Sequence, residues 1–215
     1  MNKLLALGLL ALAFSSSADS GLGVQSGPLL SVMAATGAGP QALVLVDAAE
    51  RRISVYTLDA QGRIVFTALR PYLYDLSIPD EYPHPDFPIA PGGWREIRRS
   101  LIEHHRKDFN AFKGQNKGAH FDDYLRSFLK NGAEQTQLMT ASDAAANQPQ
   151  LIQVLDRSNQ KLLVYRFTSQ AGLEFLAERS LAFDRKAPDL TGKPGYLPVE
   201  AVRRAVEKHP ELEEP

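Results

Sequence analysis

Residues 40–80, PQALVLVDAAERRISVYTLDAQGRIVFTALRPYLYDLSIPD, align without a gap onto residues 149–189, PQLIQVLDRSNQKLLVYRFTSQAGLEFLAERSLAFDRKAPD. Twelve of the 41 pairs are identical, including Asp47/Asp156, Val55/Val164, Tyr56/Tyr165, Phe66/Phe175, Arg70/Arg179 and Asp75/Asp184. Average residue usage gives roughly two or three identities by chance. Self-similarity at a fixed spacing marks one supersecondary unit written twice, so the architecture follows from reading that unit.

Each copy reads as short strands. Leu43 to Val46 and Leu151 to Leu155 are apolar runs ending at an Asp, whose side chain can cap a turn. The following runs, Arg52 to Leu58 and Lys161 to Phe167, hold the β-branched and aromatic residues that suit a pleated surface. A turn with Gly62 or Gly172 leads to a third strand, Ile64 to Leu69 or Leu173 to Glu178, and the three form a meander. A fourth strand is expected before them, Leu30 to Thr36 and Gln137 to Ser142, if a three-residue gap aligns Met33 with Met139.

Beyond each sheet a Pro-rich loop leads into a helix. Ile97-Arg98-Arg99-Ser100-Leu101, with His104 three on, matches Val202-Arg203-Arg204-Ala205-Val206, with His209 three on. Only the first copy carries a further segment, in which Phe121, Tyr124, Leu125, Phe128 and Leu129 recur on one helical face. Asp122 and Asp123 suit its start, and Lys130 with Asn131-Gly132 its end.

The apolar run, Asp, polar turn and φ-x-Val-Tyr order, as in Val46-Asp47 to Val55-Tyr56, resembles a blade of a β-propeller. The resemblance covers about 40 residues per copy and implies antiparallel sheet; no functional residue comes with it. Propellers have typically four to eight blades, and here a helical segment separates two copies. The fold class expected is therefore α+β, with two homologous antiparallel β-meander units each followed by a helix, pseudo-twofold, and a helical insertion after the first. Unit 1 spans residues 29–109, the insertion 110–136 and unit 2 residues 137–209, the two units forming one compact domain.

The ends read differently. Lys3 precedes an apolar run from Leu4 to Phe14, and Ser16 and Ala18 stand at minus three and minus one of a cleavage site, which predicts a signal peptide over 1–18. That run is too short to span a bilayer, and no other stretch reads as a membrane span. Residues 19–28 are expected to be a flexible linker and 210–215 an acidic tail. The chain has no Cys, hence no disulfide and no lipobox cysteine, and is expected to be periplasmic or secreted. Cleavage removes Lys3 alone among charged side chains and moves the formal charge from -1 to -2. That balance argues against nucleic acid as a partner.

The chemistry-bearing groups gather outside the repeat. Four of five His lie between residues 84 and 120, and residues 94–120 are rich in Lys and Arg. His104 and His105 are adjacent, so they point about 100° apart and make no i, i+4 metal pair. Projected on one helix, His105 falls on the stripe of Trp94, Ile97, Leu101 and Phe109 and reads as a packed residue, while His104 suits a helix end. Arg98 and its counterpart Arg203 read as stems over an apolar face or as halves of ion pairs. Arg70 and Arg179 precede Asp75 and Asp184 by five positions, which suits pairing at strand ends; two repeated acids facing a shared cleft would serve glycosidase or metal chemistry. The loop from Pro79 to Gly93 offers Tyr82, His84 and Phe87 for contact.

No catalytic residue, metal site or cofactor is assigned: the chain lacks Gly-x-Ser-x-Gly, a phosphate-binding Gly-x-x-x-x-Gly-Lys loop and His-Glu-x-x-His. The reading favours an exported binding or structural protein over an enzyme, its partner a small molecule, glycan or protein. The contact residues expected are Tyr82, His84, Phe87, Trp94, Arg98, His104, His105 and His120. A periplasmic hydrolase using the insertion's His and acids with a divalent metal is the alternative, and exposed edge strands would allow a homodimer.

Overall fold

Asp47 and Asp156 turn the chain in the same way. Asp47 Oδ1 accepts the Glu50 N–H at 2.9 Å and Asp156 Oδ1 the Asn159 N–H at 2.9 Å. The turns then pass through Arg51 and Gln160, both left-handed at φ 56 and 54. The carbonyls of these two residues take the Tyr72 and Leu181 N–H groups at 2.9 and 2.7 Å. A computed structural model describes residues 24–34, 41–79, 81–82, 93–130, 135–141, 149–168, 170–184 and 199–208. The expected signal peptide, the acidic tail, Asp80, Asp189, His84, Phe87 and His209 lie outside the described residues.

Two antiparallel sheets result. The first runs in chain order through β1 (Val24–Ser26), β2 (Leu29–Ala34), β3 (Ala42–Asp47), β4 (Arg52–Leu58) and β5 (Ile64–Pro71). The second comprises β6 (Glu81–Tyr82), β7 (Thr136–Ala141), β8 (Leu151–Asp156), β9 (Lys161–Thr168) and β10 (Gly172–Ser180), in the order β6-β10-β9-β8-β7. The helices are α1 (Leu73–Leu76), α2 (Trp94–His104), α3 (Arg106–Gln115), α4 (Phe121–Phe128) and α5 (Val199–Glu207). The α+β class and the two similar meander units are as the repeat predicts. Even the irregularities recur, because β4/β5 and β9/β10 each carry one extra residue, at Thr67 and at Leu176.

Four expectations need correction. Val24–Ser26 pairs with β2, so part of the supposed linker over 19–28 is a strand, its backbone groups satisfied by a neighbouring ladder. Leu29 stands opposite Asp47 and Thr136 opposite Asp156, which makes the gap between the first strands of the meanders two residues. Met33 and Met139 therefore do not correspond; the ladder, not the shared methionine, sets the register. The helix from Trp94 breaks at His105 (φ −95, ψ 12), and α3 starts at Arg106, inside the span assigned to unit 1. Thr136, placed in the insertion, opens β7.

The two sheets share a core. It draws Leu30, Val32, Val44, Val46, Ile53 and Val55 from the first and Leu138, Ile152, Val154, Leu163, Tyr165 and Phe167 from the second. The repeat relation applied to these names shows an offset of one residue. Ile53 and Val55 are buried, but their counterparts Leu162 and Val164 are only partly so; Tyr165 and Phe167 are buried, but their counterparts Tyr56 and Leu58 are only partly so. Successive strand residues point to opposite faces. The pseudo-twofold repeat thus holds for the chain path and not for the packing: equivalent strands bury opposite faces.

Candidate functional site

The helices bring several of the sequence-selected residues together. Trp94, at the start of α2, stacks on Tyr74 of α1 with ring centroids 5.6 Å apart and planes at 15°. Arg98, one turn on, donates from Nε to the Tyr74 hydroxyl at 3.2 Å and lies over the Tyr74 and Phe121 rings. Tyr74 in turn donates to Asp122 Oδ1 at 2.9 Å, and Arg98 stands 3.9 Å from the same carboxylate. Burial first, then the Asp122 carboxylate, push the Tyr74 hydroxyl above its ordinary range. Both readings of Arg98 are realised, since its stem covers apolar surface and its head meets an acid. In unit 2 Arg203 lies over the Phe183 ring at 4.9 Å, and Phe183 is the repeat counterpart of Tyr74.

His105 sits at the joint between α2 and α3. Its Nδ1 is 3.2 Å from the Tyr124 hydroxyl, and its ring packs beside Tyr124 and Phe128. Burial, reinforced by neighbouring His104, lowers its pKa below the ordinary histidine value. His104 ends α2 with its ring edge-on to His105. His120 begins α4, where its N–H donates to Asp123 Oδ2 at 2.8 Å. Tyr82 pairs with Glu178 through the β6/β10 ladder. Among the described residues, no group of three or more His, Asp or Glu converges to hold a metal ion. The space between the insertion and α1 is filled by Leu73, Tyr74, Ile78, Ile97, Leu101, Phe121, Tyr124 and Leu125.

The His105 geometry carries a pH prediction. A histidine whose folded pKa lies below its unfolded value contributes stability above the unfolded value, about 6.5. That stability is lost as pH falls towards the folded pKa, because the unfolded chain takes the proton first. The urea midpoint is therefore expected to fall between pH 7.5 and 5.5, and His105→Phe to make that fall shallower. An unchanged pH slope in the variant would show that this ring does not titrate with folding.

The repeated Arg and Asp form forks. Arg70 Nε and Nη2 donate to Asp75 Oδ2 and Oδ1, each at 2.7 Å, and Arg179 binds Asp184 in the same way at 2.6 and 2.7 Å. Their surroundings differ. The first fork is 3% and 0% exposed, the second 28% and 26%. The first also crosses between units: the Tyr165 hydroxyl donates to Asp75 Oδ2 at 2.8 Å, and the Arg70 guanidinium lies 5.7 and 5.2 Å from the Tyr165 and Phe175 ring centres. Burial, then the Asp75 charge, push Tyr165 far above its ordinary range. Asp75 is thus committed to structure, so Asp75 and Asp184 do not face one cleft as a free pair of acids; Asp80 and Asp189, the other repeated acids, lie outside the described residues.

The feature that the sequence reading missed is the outer face of the first sheet. Ladder partners place Leu69 opposite Ser54, Phe66 opposite Tyr56 and Ile64 opposite Leu58, all on the face turned away from the shared core. Of the large apolar side chains that are exposed among the described residues, Leu29, Ile64, Phe66 and Leu69 belong to this face, and Phe66 is 56% exposed. Tyr56 and Phe66 meet edge to face at 5.5 Å, and their counterparts Tyr165 and Phe175 lie 5.3 Å apart with tilted planes. The signal was legible. β5 is apolar on both parities through Ile64, Val65, Phe66, Ala68 and Leu69, and Tyr56 and Leu58 extend the outward parity of β4, whereas an antiparallel strand with one solvated face alternates apolar and polar.

No protein-family model, curated protein or solved structure matches the chain.

Proposed function

We propose that this is an exported, non-catalytic binding or structural protein that works through protein contact at the outer face of its first sheet. The observation that carries the reading is the clustering of exposed Ile64, Phe66 and Leu69 beside Tyr56 on one face of the first sheet. Contiguous exposed apolar surface marks interaction sites, and an edge-to-face aromatic pair is an anchor suited to a flat partner. The partner surface that fits is another apolar sheet face, since a sheet packs on a sheet about 10 Å away with interdigitating side chains. In this reading each meander is a blade-like unit meant to be covered on both faces. The aromatic, His and Arg groups of the helices support it from the other side: Trp94, Arg98 and His105 are engaged with Tyr74, Asp122 and Tyr124 in packing the helical layer.

The test is a photoreactive amino acid in place of Phe66, irradiated in the expressing cell. A discrete protein adduct that is missing when the probe replaces exposed Lys107 supports the reading. Absence of any discrete adduct overturns it.

A further inference from the structure

We propose that the partner at this face is a second copy of the chain, docked head to tail so that the contact between the two units inside one molecule is repeated between molecules. The inference rests on the protein-contact reading above and adds the identity of the partner.

The contact within the chain has two unlike halves. One half is the face of sheet 2 that carries Tyr165, Phe167 and Phe175. The other is the face of sheet 1 with Val44, Val46, Ile53 and Val55, together with the Arg70–Asp75 fork and Tyr72 at its end. The fork seats on the Tyr165–Phe175 pair. Because the units are repeats, each carries both halves. Unit 1 uses its fork half and unit 2 its aromatic half, which leaves the aromatic half of unit 1 and the fork half of unit 2 turned away from the shared core.

Both outward halves have the features that this requires. On unit 1, exposed Ile64 and Phe66 stand where Leu173 and Phe175 pack against the shared core, and exposed Leu29 and Leu69 stand where Thr136 and Glu178 are buried. On unit 2 an open groove is lined by Gln135, Leu155, Arg157, Gln160 and Leu181. The repeat counterparts of four of these are Val46, Ala48, Arg51 and Tyr72, and all four are buried in the folded chain. The groove therefore marks on sheet 2 the surface that, on sheet 1, is covered. The Arg179–Asp184 fork stands partly exposed, and seating it on a second molecule's Tyr56–Phe66 pair would reproduce the buried fork of unit 1.

Such a contact joins different surfaces. It is heterologous, and it closes into a ring or extends as a chain according to the rotation between copies. It also differs from pairing of edge strands, because the ladder edges take no part.

The chain has no cysteine, so single cysteines report cleanly. Leu69→Cys and Ala182→Cys proteins are mixed and treated with a short thiol cross-linker, and the average mass of the unmodified protein is followed by light scattering over a hundredfold concentration range. The expected result is a 69–182 cross-linked dimer, a mass that rises with concentration, and at least a tenfold weakening of both by Phe66→Glu. Phe66 is exposed in the monomer, so that variant keeps its thermal midpoint. Cross-links between two 69 positions alone would overturn head-to-tail docking, with the face pairing with itself. A monomer at every concentration, together with a cellular adduct at Phe66 of a mass other than a multiple of this chain, would overturn the second copy as partner while leaving the protein-contact reading standing. A monomer with no cellular adduct would overturn both.

Discussion

Asp75→Ala is expected to lower the unfolding free energy by about 3–5 kcal/mol, whereas the matching change in the other repeat, Asp184→Ala, costs about 1 kcal/mol or less. The two aspartates make the same bidentate contact with an arginine five residues earlier. Only their surroundings differ. Removing Asp75 takes from the buried Arg70 guanidinium, 3% exposed, its bidentate carboxylate and from Tyr165 its hydrogen-bond acceptor. A buried charge that loses a bidentate carboxylate has no water to replace it, whereas water reaches the Arg179 fork and takes over part of the lost contact. Urea unfolding of the two variants at one pH measures the difference. Equal losses would mean that the first fork is not the buried joint between the units.

A crossed pair of truncations is expected to give the next largest effects. Ile53→Ala in the first sheet should cost about 2–5 kcal/mol, and its repeat counterpart Leu162→Ala about 1 kcal/mol. Five positions further along the same strands, on the opposite parity, the order should reverse between the sheets. Phe167→Ala should cost about 3–5 kcal/mol and its counterpart Leu58→Ala about 1 kcal/mol. The asymmetry follows from which face each sheet turns inward: Ile53 is 0% and Phe167 1% exposed, whereas Leu162 and Leu58 are partly exposed. Denaturant midpoints of the four variants suffice to check it. A pattern in which both members of each pair cost the same would contradict the one-residue phase shift between the sheets.

How much of this was legible from residues alone varies with the range of the interaction involved. Asp47 and Asp156 announced their turns because an Asp capping its own turn needs a partner only three residues away. The α4 helix was equally plain from Phe121, Tyr124 and Leu125, since an apolar stripe at helical spacing needs no tertiary partner to be recognised. The break at His105 was not. Trp94 to Phe109 keeps one apolar periodicity across the break, and the contacts of Phe109 with Phe121 and Tyr124 of α4 exist only in the folded chain. The first strands of the meanders were found, but their register was misread through two methionines. A ladder aligns backbone groups, and side-chain identity at half-buried positions constrains it weakly.

The expected contact residues show the same division. Trp94, Arg98 and His105 were singled out by residue type, and the fold uses them to hold α1, α2 and α4 together. Tyr56 and Phe66 were in view from the start as two of the twelve repeat identities. Their importance as a surface depends on their not being covered, and exposure is decided by residues elsewhere in the chain.

The sequence by itself determined the duplicated meander, the turns that close it, the Arg and Asp spacing that makes each fork, and the helix that follows each sheet. All of these depend on contacts within one repeat, which the pattern of residues records twice. Only the tertiary structure decided which face of each repeat is buried. Both faces of these strands are apolar enough to pack, so burial of one is chosen by the other unit.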